Sequence, residues 1–269
     1  MSELIEGLPD AVALRCLARV PFYLHPKLEL VSRSWRAVVH SAELFKTRQE
    51  VNSTEDFLCV CAYDPENLWQ LYDPLRDLWI TLPVLPSQVR HLAYFGAVST
   101  AGKLFVLGGG SNAVDPLTGD HDGSFATDDV WSYDPVTRQW AMCASMLVPR
   151  AMFACCVLDG VVIGGKMHVL HKGLSTVQIY DKERQGWIVY DCLSLQGPMA
   201  VVKGEVYVMS HGLIQKQVGE ERKVVVSASE FRRRIGFAMT GMGDDIYIIG
   251  GVIGPERWNW DITFFQFKV

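Results

Sequence analysis

The spacing of apolar residues changes once along the chain, near residue 50. From Leu8 to about Arg48 they recur at three- and four-residue intervals. Val12, Leu14, Leu17, Ala18 and Val20 come first, then Leu28, Val31, Trp35, Val38 and Val39, then the short group Leu44-Phe45. That interval is the period of a helix with one buried face. Pro9 stands where a first helical turn tolerates proline, and Pro21 and Pro26 interrupt the run. The pattern predicts three short helices within residues 3–50. So small a segment has a marginal core and needs a partner or a neighbouring domain.

After Glu50 the signal turns to short β runs: FLCVC (57–61), KLFVLGGG (103–110), KMHVL (166–170), EVYVM (205–209) and DIYIIGG (245–251), with Gly, Asp and Asn turns between them. The runs repeat. Residues 90–109 align without a gap against 232–251, and 151–162 fit the same pattern with Phe95, Phe153 and Phe237 in register. A Tyr-Asp pair is followed by Trp seven residues beyond the Tyr in three places: Tyr72 and Trp79, Tyr133 and Trp140, Tyr180 and Trp187. Doubled glycines recur at Gly108-Gly109, Gly164-Gly165 and Gly250-Gly251.

One unit therefore reads as an apolar strand, a turn, a strand ending in Gly-Gly, a loop, a strand ending in Tyr-Asp, a four-residue turn and a strand carrying Trp. This is a four-stranded antiparallel meander, and repeated meanders pack around an axis as the blades of an all-β propeller over residues 55–269. In that reading Tyr and Trp fill the space between blades, the glycine pairs permit close backbone approach, and Asp-Pro makes the turn. These are packing residues, not catalytic ones.

The units are unequal. Residues 159–173 (DGVVIGGKMHVLHKG) hold two turn-plus-strand signatures fused together, so about one repeat is missing there. The C-terminal WNWDITFFQFKV also ends without a full blade. The expectation is a partial propeller of four to five blade equivalents, three of them intact.

Charge and cysteine usage narrow the function classes. A net charge of −5 on 269 residues, without long runs, gives no reason to expect nucleic acid or a membrane surface. The N-terminus lacks the basic and apolar regions of a signal peptide, and no apolar run approaches the ~18 residues of a membrane span. The seven cysteines lack zinc-site or redox spacing, and free thiols point to cytoplasm or nucleus. Cys155 and Cys156, adjacent in a strand, should face opposite sides. Gly160 to Lys166 mimics a phosphate-binding loop but has Met167 where Ser or Thr should hold magnesium. The acidic loop Asp115 to Asp129 lacks the ligand alternation of a calcium loop. No metal, cofactor or catalytic constellation is implied.

The β half resembles kelch repeats, on the glycine pairs and the spaced Tyr and Trp. The segment LPDAVALRCLARVPFYLHPKLELVSRSWRAVVHSAELFKTR resembles an F-box. The order is similar to a large family of plant proteins that serve as substrate receptors of Skp–cullin–F-box ubiquitin ligases. The resemblance implies a non-catalytic receptor with two partners. A Skp-type adaptor, and through it cullin and RING subunits, would dock on Leu8, Pro9, Leu17, Val20, Pro21, Leu28, Val31, Trp35, Leu44 and Phe45. An unidentified protein substrate would dock on the propeller.

Arg90-His91, Arg150 and Arg232-Arg233 recur before the first strand of three units, which places them on one propeller face. They could form a cationic rim for an acidic or phosphorylated substrate segment, or be solvated charge at strand entries. Two rival readings stand beside the receptor: an adaptor-binding scaffold or decoy without substrate, and a kelch-type enzyme.

Overall fold

The computed structural model describes residues 3–62, 68–82, 92–93, 95–111, 126–151, 153–158, 161–166, 176–181, 184–191, 197–219, 221–253 and 264–269. Four α-helices, rather than three, open the chain: α1 (Asp10–Ala18), α2 (His25–Leu28), α3 (Arg33–Val39) and α4 (Ala42–Glu50), with a 3-10 turn at Phe22–Leu24. The extra boundary has a local cause. Ser32 is extended (φ −160°), and its hydroxyl accepts a hydrogen bond from the Trp35 amide (3.1 Å), capping α3 as a new helix. Ser41 caps α4 in the same way through the Leu44 amide. An apolar stripe can cross such a break without losing its period, so the pattern alone merges α2 and α3.

Leu17, Ala18, Val39 and Leu44 form the buried centre of this helical segment. Leu4, Leu14, Leu28, Trp35, Val38 and Val51 close around it. The Trp35 indole N–H donates to the Leu4 carbonyl (2.7 Å) and holds the N-terminal arm over the core. A polar knot lies beside it. The guanidinium of Arg48, itself buried, donates to the carbonyls of Ala18 (3.0 Å), Val20 and Ser53 (2.5 Å) and pairs with Glu55 (2.5 Å). Glu55 also accepts from the Phe22 amide (3.1 Å). One side chain thus satisfies the open carbonyls after α1 and fixes the segment leading to the first strand.

Strands follow. β1 (Leu58–Ala62), β2 (Leu68–Asp73) and β3 (Leu78–Thr81) form a three-stranded sheet in chain order. β4 (Leu92–Ala93) pairs with β7 (Gly110–Ser111) around β5 (Gly96–Thr100) and β6 (Lys103–Leu107); the latter two join β8 (Val130–Asp134) and β9 (Gln139–Met142) in the order β5-β6-β8-β9. β10 (Phe153–Leu158), β11 (Val161–Lys166), β12 (Thr176–Asp181) and β13 (Gly186–Asp191) make a second four-stranded meander. A third comprises β14 (Met199–Val202), β15 (Glu205–Ser210), β16 (Leu213–Val218) and β17 (Glu221–Ser227), and β18 (Arg234–Met242), β19 (Asp245–Ile253) and β20 (Phe264–Lys268) form a last three-stranded sheet. DGVVIGG thus holds β11, paired along its length with β10, while residues 167–170 of the KMHVL run lie outside the described residues.

Two compact units result. One contains Met1–Arg90 with Tyr133–Trp140, the other His91–Ser132 with Ala141–Val269. Adjacent Cys155 and Cys156 do face opposite sides. Cys156 and Ala154 pack with Met199 and Val208, and Cys155 and Phe153 with Val98, Leu107 and Trp187.

The repeated Tyr and Trp are partners of each other. Tyr72 lies directly across from Trp79, and Tyr180 from Trp187. Ring centroids are 4.6 and 5.4 Å apart, and those of Tyr133 and Trp140 5.2 Å. The rings also pack beyond their own hairpins: Trp187 lies in a buried cluster with Val98, Leu107, Val130, Met146 and Phe153, its N–H donates to the Ala144 carbonyl (3.0 Å), and Trp140 meets Trp69 at 6.2 Å. The turn between each pair is made by Asp with or without Pro. Asp73 and Asp134 accept from the amide two residues on (2.9 and 2.8 Å), and Asp181 from the Arg184 amide (3.2 Å). Each turn then places its fourth residue at positive φ: Asp77, Arg138 and Gln185. Burial works against the charge on Asp73, but Arg76 and two backbone amides outweigh it and hold the carboxyl below its usual range.

Candidate functional site: apolar surface on the helical segment

The ten helical residues that the family resemblance singles out divide by burial. Leu17 and Leu44 are buried, and the half-buried Leu28 and Trp35 pack against them, so these four build the core of the segment. Leu8, Val20, Pro21 and Phe45 are half-buried. Val20 serves chiefly through its carbonyl, which Arg48 engages. Only Pro9 and Val31 are exposed.

Two further residues join that exposed set. Val12 is 46% exposed and Leu30 79%, beside Val31 at 59%. Pro9 caps the start of α1 and Val12 lies on its first turn, its amide donating to the Pro9 carbonyl (2.8 Å), so the two are neighbours on the surface of the helix. Leu30 and Val31 occupy the turn between α2 and α3, held by amide bonds from Leu30 to the Lys27 carbonyl (3.2 Å) and from Val31 to that of Leu28 (3.1 Å). A large side chain left in water on an ordered turn is a candidate anchor for a protein partner. The periodicity could not assign Val12 to the surface, because α1 carries apolar residues on more than one face, and Leu30 stands outside any helix, in the turn between α2 and α3, where the helical period says nothing.

The proposed cationic rim is different. Arg150 is 4% exposed, and burial lowers its pKa, so it is not a solvent-facing cation. Its carbonyl accepts from the Gly109 amide (2.8 Å), drawing the chain inward at the glycine pair. Arg232 and Arg233 are exposed, whereas Arg234 lies 5.6 and 5.4 Å from the ring centroids of Phe231 and Phe265. Arg90 and His91 lie outside the described residues.

The glycine pairs divide too. Gly108, Gly109, Gly250 and Gly251 have positive φ, while Gly164 and Gly165 sit in the regular ladder of β11 opposite Cys155 and Ala154. Among the described residues no group of three His, Cys, Asp or Glu side chains is placed to hold a metal ion.

Two family patterns match the chain: the F-box domain over residues 5–47 and the Kelch motif over 91–147. The F-box/kelch-repeat protein SKIP30 of Arabidopsis thaliana is 57% identical over 306 residues, covering 97% of this chain and 87% of SKIP30. That span exceeds the 269 residues here by 37, so SKIP30 carries at least that many residues without a counterpart in this chain. The F-box protein AFR of Arabidopsis thaliana is 28% identical over 74% of this chain, which spans about half (52%) of AFR. Among solved structures, YjhT aligns over 68% of this chain and 66% of its own at 16% identity, with a TM-score of 0.46.

Proposed function

The chain belongs to the F-box/kelch-repeat proteins, and from that membership we propose that it is a substrate receptor of a Skp–cullin–F-box ubiquitin ligase, acting in the cytoplasm or nucleus. The helical segment docks on a Skp-type adaptor, which brings cullin and RING subunits. The sheets are blades of a β-propeller that holds the protein to be ubiquitinated. The receptor contributes no bond-making group of its own. It raises the local concentration of a substrate lysine near a ubiquitin-loaded enzyme.

The observation that carries the reading is the exposure of Pro9, Val12, Leu30 and Val31 on a helical segment whose core is already filled by its own residues. Anchors of this kind contribute about 2 kcal/mol or more each when a partner covers them. The test is a pull-down with a purified Skp-type adaptor. The parent chain should bind, while a Leu30→Asp/Val31→Asp variant and a chain starting at Thr54 should not. Binding that survives either change sinks the receptor reading.

A second reading, an adaptor-binding decoy, is favoured by one observation: at least 37 residues of SKIP30 have no counterpart here, the scale of most of a kelch repeat. A receptor supports cullin-dependent ubiquitination of proteins that bind its β half. A decoy binds the adaptor and lowers ubiquitination by intact receptors.

A further inference from the structure

The turn that presents Leu30 and Val31 is gripped from behind. Glu29, the residue before them, points its carboxylate the other way, onto the hairpin between β8 and β9. One oxygen lies 2.7 Å from the Arg138 guanidinium, the other 3.4 Å from Nε2 of His40. Nδ1 of His40 is 3.0 Å from the Val136 carbonyl; a carbonyl can only accept, so that nitrogen donates. The three side chains are 17%, 24% and 32% exposed. The hairpin is tied at this point by its own turn hydrogen bonds. Asp134 accepts from the Val136 amide (2.8 Å), and the Arg138 amide closes on the Asp134 carbonyl (2.7 Å). Residues Tyr133–Trp140 fall in the same compact unit as residues 1–90.

The sequence supplies an independent reason to see purpose in Arg138. Three hairpin turns share one backbone form, and the positive-φ position is Asp77 in the first, Arg138 in the second and Gln185 in the third. The backbone does not demand arginine there. At that position a cation stands only in the second turn, where Glu29 of the helical segment faces it; Arg76 and Arg184 stand one residue earlier in their turns and pair with the Asp of their own turn.

We propose that the β8–β9 hairpin is a latch for the Glu29–Ser32 turn, with Arg138 and His40 as positioning residues that present the Leu30–Val31 pair to the adaptor already ordered. The adaptor part of this rests on the receptor reading; the latch does not. The gain is pre-organisation: a partner that needs an ordered turn loses apparent affinity in proportion to the fraction disordered.

The experiment uses the full chain in four forms: parent, Arg138→Glu, Glu29→Arg and the Glu29→Arg/Arg138→Glu swap, with Arg138→Gln as a milder fifth. Glutamine already occupies the corresponding turn position at Gln185, so that variant keeps the hairpin even if charge reversal unfolds it. Amide hydrogen exchange at Leu30 and Val31 is read alongside binding to purified adaptor. Arg138→Gln and each reversal should raise exchange at these amides, the reversals by about tenfold or more. Each reversal should weaken adaptor binding about threefold, mainly through slower association, and the swap should restore both readouts. Unchanged exchange in Arg138→Gln and Arg138→Glu, or a swap whose losses add instead of cancelling, overturns the latch. A parent chain that fails to bind the adaptor removes the receptor reading, while the exchange data still decide the latch.

Discussion

His25 Nε2 lies 3.3 Å from Nη1 of Arg48, an imidazole held against a cation that cannot give up its proton. Burial first, and Arg48 second, push the His25 pKa down from 6.5 to about 4. The unfolded chain therefore takes up the His25 proton near pH 6.5, before the folded chain can. This contribution is flat above pH 6.5, and stability falls as pH drops from 6.5 toward 4, at about 1.4 kcal/mol per unit to a ceiling of about 3 kcal/mol. Thermal unfolding followed across that window should show the loss in the parent and a flatter profile in His25→Gln. An unchanged slope in the variant would assign the acid sensitivity to another group.

The Arg48–Glu55 pair is buried on both sides, so removing one partner strands the other. Arg48→Met should cost about 3–5 kcal/mol, because it leaves a buried carboxylate and the carbonyls of Ala18, Val20 and Ser53 without their donor. Replacing both residues, Arg48→Met with Glu55→Leu, should recover part of that loss in urea denaturation. A double variant worse than the sum of its singles would contradict the stranded-charge account.

Core and surface on the helical segment predict opposite phenotypes. Leu44→Ala should lower stability by about 2–5 kcal/mol, as expected for a fully buried leucine. Leu30→Asp should leave the unfolding midpoint within about 0.5 kcal/mol of the parent, because the side chain already stands in water. It should nonetheless abolish adaptor capture. Equal destabilisation by the two substitutions would remove Leu30 from the candidate surface.

What the sequence disclosed follows from how local the cause is. Tyr180 and Trp187 are seven residues apart because a four-residue turn returns the chain into direct register, so three copies of that spacing reveal three hairpins. The Asp that makes each turn bonds amides two or three residues on, equally within a short window. Arg48, by contrast, collects the carbonyls of Ala18 and Val20 and the ring of His25 from 30, 28 and 23 residues away, and no spacing announces such a hub. Arg150 misled for a related reason. Its recurrence before a first strand is a real pattern, but the close approach at Gly108-Gly109 draws that position inward.

Gln178 is another residue whose role no pattern discloses. It is fully buried on β12, its side-chain oxygen accepts from the Leu147 and Val148 amides (2.8 and 3.1 Å), and its amide nitrogen donates to the Val148 carbonyl (2.8 Å). Gln178→Leu keeps the volume but strips three hydrogen bonds from the connection before β10. Each buried backbone group so stranded costs about 1–3 kcal/mol unless water replaces the side chain. The variant should lose about 3 kcal/mol or more, with faster hydrogen exchange at Leu147 and Val148. A loss below about 1 kcal/mol would mean that the connection rearranges to satisfy itself.

Gly108 and Gly204 separate two reasons for glycine. Both have positive φ, +57° and +76°. A Cβ on Gly204 meets no atom within 4 Å, whereas one on Gly108 would lie 2.3 Å from the Arg150 carbonyl oxygen and 2.9 Å from the Met146 methyl. Gly204→Ala therefore carries only the left-handed backbone cost, about 1–2 kcal/mol. Gly108→Ala adds a clash with main chain that is itself bonded to Gly109, so it should cost at least about 2 kcal/mol more than Gly204→Ala. Urea unfolding of the two variants side by side reads the difference directly. Equal losses would reduce the requirement at Gly108 to backbone conformation alone and remove close approach as the reason for that glycine pair.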